Sequence, residues 1–160
     1  IIGCSLDESF AHSVAYTLVQ HRKKYNITLI VMPNWDGFGS FTGNKKEKFT
    51  DFPIYFTSPY FNAKWDNYSK IIQQSYLTRY KGKPSEYAYK GFETMAVFVK
   101  LLSRYPHDLI GHLNDYASKI FSDYNFRPVY LSKNKENPDY FENKHLYFLK
   151  KLNGVVSKAW

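Results

Sequence analysis

The chain has 160 residues, a net charge of +8 and 44% hydrophobic residues, enough for one domain with a real core. A single cysteine, Cys4, excludes an internal disulfide, and no apolar run approaches the roughly 20 residues that span a bilayer. Aromatic residues are unusually dense, with 15 Tyr, 13 Phe and 3 Trp, so many rings must line surfaces or grooves.

The first 33 residues read as strand, helix, strand: IIGCS, then LDESFAHSVAYTLVQHRKK, then YNITLIVMP. That order is the mark of a βαβ unit with two parallel strands in one sheet. The chain opens inside the unit, which reads as a piece of a larger protein. Cys4 falls in the first apolar run and is expected to be a buried small hydrophobe. Ser5-Leu6-Asp7-Glu8 fits a capping box, with Ser5 as N-cap and Glu8 reaching back. Phe10, Val14 and Leu18, with Ala11 and Ala15 beside them, recur at helical spacing, and His21 to Lys24 close the helix with positive charge. Ile27 to Met32 reads as a central strand buried on both faces. Pro33 to Phe38 reads as a loop, Asn44 to Phe49 as a short helix and Phe52 to Thr57 as a third strand.

A helix from Ala63 to Tyr80 carries Trp65, Tyr68, Ile72 and Tyr76 on one stripe. Ser85 is a candidate N-cap for the next helix, where Ala88, Phe92, Met95, Val99 and Leu102 repeat to Arg104. Gly91 inside it costs about 1 kcal/mol against Ala, which predicts close packing there. Leu109 to Phe121 reads as another short helix. Phe126 to Leu131 and His145 to Lys151 then read as strands, Ser132 to Asn143 as polar loop, and Val155 to Trp160 as a strand after the Asn153-Gly154 turn. The expected organisation is one lobe over 1–160, with an α/β core over 1–121 and a β-rich segment over 122–160.

No catalytic constellation stands out. Neither a phosphate-binding glycine loop nor a nucleophile elbow is present, and the five histidines have no metal-ligand spacing, so no metal, cofactor or catalysis is expected. An enzyme using Ser5 or Cys4 is the weaker reading, because capping accounts for Ser5. The sequons at Asn26 and Asn67 are at chance frequency. In open parallel sheets ligands bind beyond the carboxyl ends of the strands. Those ends carry Ser5, then Asn34 and Trp35, then Tyr60 and Phe61, an aromatic rim with a few polar groups that suits a small organic ligand.

The order of these segments resembles the C-terminal part of the type 1 periplasmic binding fold, as in branched-chain amino-acid binding proteins of ABC transporters. The matching pieces are S-L-D-E-S-F-A opening a helix, I-T-L-I-V-M-P followed by N-W-D-G-F, I-Y-F-T-S-P-Y-F, and Y-K-G-K-P-S-E-Y-A-Y-K-G-F-E-T-M. Lys90-Gly91-Phe92-Glu93 stands where family members carry GYD or a near variant. The resemblance runs from about Ile1 to Phe121. It implies a three-layer α/β/α lobe with a mostly parallel sheet, one half of a two-lobed protein that closes on a solute. It further implies an amino acid or similar ligand, a missing N-terminal lobe, a membrane permease as partner and a periplasmic or other extracytoplasmic location. An exposed edge strand and an aromatic interlobe surface favour a homodimer of the isolated piece. The competing reading is a basic, aromatic-rich module that binds nucleic acid or another anionic polymer. The lysines are scattered, with local density only at Lys45, Lys46 and Lys48 and between Lys133 and Lys144.

Overall fold

The computed structural model describes residues 1–42, 49–131 and 137–160. The chain folds as two compact units, Ile1–Ser58 with Leu146–Trp160, and Pro59–His145. These boundaries differ from the 121/122 division read from sequence. Among the described residues no helix is long and apolar enough to cross a membrane.

The first unit is a mixed α/β structure. Its sheet has the order β1 (Ile2–Gly3), β2 (Leu29–Val31), β3 (Ile54–Ser58), β6 (Tyr147–Leu152) and β7 (Val155–Lys158). β1, β2 and β3 run parallel, as the βαβ reading requires, while β6 and β7 are antiparallel additions. Asn153 and Gly154 both take positive φ, 52° and 76°, and close the β6–β7 hairpin as the Asn-Gly pair predicts.

Register decides which face is covered. Gly3, Leu29, Val31, Ile54, Phe56, Tyr147, Leu149 and Lys151 share one face, and all are buried. Ile30, Tyr55, Phe148 and Lys150 share the other and are half-buried. The strand order explains this. Parallel crossovers are right-handed, so two successive connections that step the same way, β1 to β2 to β3, leave and return on one face. α1 (Glu8–His21) and α2 (Gly39–Thr42), the helices of those connections, therefore share a face. They are tied together there by His12 Nδ1 and Ser40 Oγ at 3.0 Å.

α1 starts two residues later than the capping-box reading has it. Asp7 is the N-cap and accepts from Phe10 N at 2.6 Å, while Ser5 Oγ accepts from Asp7 N. Glu8 takes the Gly39 N–H at 3.0 Å. Ala11 and Ala15, not Phe10, are the enclosed positions, because small side chains let the helix approach closely. Cys4, expected to be buried, is exposed beside the edge strand. Pro33–Gly37 is a 3-10 helix rather than an open loop. The helix expected over Asn44 to Phe49 lies outside the described residues but for Phe49.

In the second unit, α3 (Asn67–Tyr80) and α4 (Glu86–Arg104) are the long helices. Asp66 caps α3 through Ser69 N, so Trp65 lies outside the helix and is exposed. Ser85 is the N-cap of α4 by position, without a side-chain bond. α4 buries Tyr89, Glu93, Val97 and Leu101. The stripe Phe92, Met95, Val99 and Leu102 faces outward, against expectation. Apart from Glu93 both stripes are apolar, and the core selects the one that meets Leu113, Phe126 and Phe141. A Cβ added at Gly91 would meet nothing within 4 Å, so close packing does not account for this glycine. The helix expected over Leu109 to Phe121 is instead two 3-10 turns, Ile110–His112 and Tyr116–Ser118. Asp108 accepts from Gly111 N and Asp115 from Ala117 N, and such aspartate bonds favour turns over continued helix. β4 (Phe126–Val129) pairs antiparallel with β5 (Tyr140–Asn143), a strand within the segment read as loop.

Candidate functional site

The carboxyl ends of β1 and β2 bring three of the five expected rim residues together. Trp35 is 0% exposed. Its ring lies over Gly3, and its Nε1 donates to Ser5 O at 2.7 Å. Phe38 and Phe41 stack against it at 6.2 and 5.8 Å between centroids. The 3-10 helix thus folds back across the buried face of the sheet, and Trp35 is a core residue that shows no surface to a ligand. At the same helix Asp36 meets Lys151, whose Nζ lies 2.8 Å from Asp36 Oδ1 and 2.5 Å from the Asp36 carbonyl oxygen. Lys151 stands in a core register of β6, between Ile54 on one side and Val156 on the other, and is buried.

Asn34 remains at the rim. It is half-buried, its Nδ2 donates to Leu6 O at a long 3.4 Å, and its Oδ1 is enclosed with no donor among the described residues. Enclosed amide oxygens are normally satisfied. Ser5 is half-buried beside it, across the carbonyls that Asn34 and Trp35 reach. The first unit therefore carries an amide oxygen and a hydroxyl at the carboxyl ends of adjacent strands.

Tyr60 and Phe61 belong to the second unit and are both half-buried. Burial pushes the Tyr60 phenol well above its ordinary range, against the opposing effect of Asn62. Asn62 is held by Ser69 Oγ at 2.9 Å, and Ser69 in turn donates to Asp66 at 2.7 Å. Sequence reasoning missed Glu93 in this unit. Its carboxylate is 1% exposed and accepts from Phe121 N at 2.7 Å, Ser122 N at 2.5 Å and Ser122 Oγ at 3.1 Å. The signal was available: Glu93 sits at a core position of the Tyr89, Val97, Leu101 repeat. Lys151 was likewise legible from the alternation Tyr147, Leu149, Lys151.

Among the described residues no group of three or more His, Cys, Asp or Glu is placed to hold a metal ion. No family model, curated protein or solved structure matches the chain.

Proposed function

We propose that this chain is a non-catalytic solute-binding lobe, part of an extracytoplasmic receptor for an amino acid or a similar small molecule. The observation that carries the reading is the Asn34 amide oxygen, enclosed without a donor beside the carboxyl tips of two parallel strands. An ammonium group supplies the missing donor, and the Ser5 hydroxyl, as donor, suits the ligand's carboxylate. The half-buried Asn34 side chain turns outward to make the contact.

The reading brings further proposals with it. A second lobe completes the cleft, helices cover the second face of the sheet to make three layers, and a membrane permease receives the solute. One lobe alone binds weakly, because few contacts must offset the whole entropy cost of association. The test is thermal unfolding with a panel of amino acids, short peptides and sugars at millimolar concentration. A weak binder present at about ten times its dissociation constant adds about 1.4 kcal/mol, which raises the midpoint by a few degrees. Asn34→Leu is expected to abolish that rise. A panel that leaves the midpoint unchanged removes the proposal.

A further inference from the structure

A broad recess lies at the other ends of the same strands. About 440 Å³ in volume, it is lined among others by Arg22, Lys23, Lys24, Tyr25, Asp51 and Pro53. It is shallow and open to solvent rather than enclosed. Its lining belongs entirely to the first unit. It comes from the end of α1 and from the segments that lead into β2 and β3.

Three features of the recess point to one ligand chemistry. The first is charge. Among the described lining residues, three consecutive cations stand against one carboxylate, Asp51, which pairs with Arg22 at 2.6 Å. Two positive charges are left in excess, on Lys23 and Lys24, more than the half charge at the negative end of α1 takes up. The second is shape. Lys24 N and Tyr25 N both bond to His21 O, so one more helical turn follows α1 and carries Arg22, Lys23, Lys24 and Tyr25 to the recess that all four line. The third is an exposed ring. Tyr25 is 55% exposed, with Lys24 Nζ over one face at 5.4 Å from the centroid and the His21 ring tilted against it at 6.4 Å. A ring with a cation beside it receives a planar group and an anion together.

We propose that this recess binds a phosphorylated planar ring, of which a nucleoside monophosphate is the simplest form. The phosphate lies against Arg22, Lys23 and Lys24, and the base stacks on Tyr25. The site is independent of Asn34 and Ser5. A nucleotide and a nucleic-acid chain share this chemistry, so the experiment separates them.

Calorimetric titration of the full chain with AMP, adenosine, inorganic phosphate and a dT12 oligonucleotide without terminal phosphates is the test. AMP is expected to bind more tightly than adenosine or phosphate, with affinity falling several-fold between about 0.05 and 0.3 M salt as exposed charges are screened. Lys23→Ala with Lys24→Ala is expected to weaken AMP at least about tenfold, and Tyr25→Leu at least about fivefold, the low end for ring stacking. Asp51→Asn frees Arg22 and is expected to tighten AMP by about threefold. Lys70→Ala, on the second unit, leaves AMP binding unchanged. All these positions are exposed, so the variants fold. The proposal is overturned if adenosine or phosphate matches AMP, if the oligonucleotide binds where AMP does not, or if the lysine variant binds AMP as the parent does.

Discussion

Replacing Glu93 tests whether a buried carboxylate holds the second unit together. Glu93 reaches from the core stripe of α4 to the backbone of Phe121 and Ser122, 28 and 29 residues further along the chain. Glu93→Ala removes the acceptor of two backbone N–H groups and one hydroxyl at once. Each buried donor left without a partner costs about 1–3 kcal/mol. Phe121 is only half-buried and the Ser122 hydroxyl can turn, so the sum is held to about 3–5 kcal/mol, at the upper end for a single substitution. Glu93→Gln keeps a carbonyl oxygen for both N–H groups and should cost only about 1–2 kcal/mol. Urea unfolding followed by circular dichroism in the far ultraviolet gives the two values. Amide exchange at Phe121 and Ser122 gives the local consequence, with protection lost in the alanine variant and kept in the glutamine one. Equal costs for the two substitutions, or an alanine cost under about 1 kcal/mol, would refute the claim that the carboxylate's bonds carry this contact.

Further substitutions probe the packing and charge. Gly3→Ala places a Cβ 2.8 Å from Trp35 Cη2, and the enclosed indole has no room to retreat, so thermal unfolding should show a loss of about 1–3 kcal/mol. Gly91→Ala meets nothing within 4 Å in an exposed helix interior and should instead gain about 0.5–1 kcal/mol. Asp36→Ala leaves the Lys151 ammonium enclosed with only a carbonyl partner and should destabilise more than Lys151→Met, which removes the charge altogether; the order of the two unfolding midpoints decides. Asp115 accepts from Ala117 N and from Arg104 Nη1, and these bonds hold its carboxyl below the ordinary value of 3.8. A carboxyl that is more acidic when folded adds stability above its unfolded value and loses it as pH falls through the folded one. Stability should therefore decline below about pH 4, and Asp115→Asn should flatten that part of the profile.

Strand identity and direction were legible because the first three strands are short apolar runs separated by connections with clear caps and breakers. The β6–β7 hairpin was legible for the same reason, its Asn-Gly turn demanding positive φ. Helix faces were less so. In α4 the residues Phe92, Met95, Val99 and Leu102 repeat as regularly as Tyr89, Val97 and Leu101, and periodicity does not say which stripe finds a partner. The 3-10 turns after α4 were hidden because Asp108 and Asp115 act through backbone bonds that leave the apolar spacing helix-like. β5 was missed because Tyr140 to Asn143 contributes one core ring, Phe141, inside an otherwise polar stretch. At the candidate site, sequence placed Ser5, Asn34 and Trp35 at neighbouring strand ends but did not decide whether Trp35 faces a ligand or only covers the sheet.

The inward turn of Trp35 and the strand order bear on function together. In a doubly wound sheet the ligand crevice opens where successive connections reverse direction and move to opposite faces. Here β1, β2 and β3 follow one another without reversal, and the connection after β2 lies down across the sheet with its indole over Gly3. These three strands therefore supply no crevice by splitting their connections. Whatever recognition occurs at their carboxyl tips must come from groups that the folded-back helix leaves at the rim. Of the residues there, Trp35 is consumed by packing and Asp36 by Lys151. Asn34 keeps an oxygen uncommitted, which is why its replacement by leucine is the decisive variant for the solute-binding proposal.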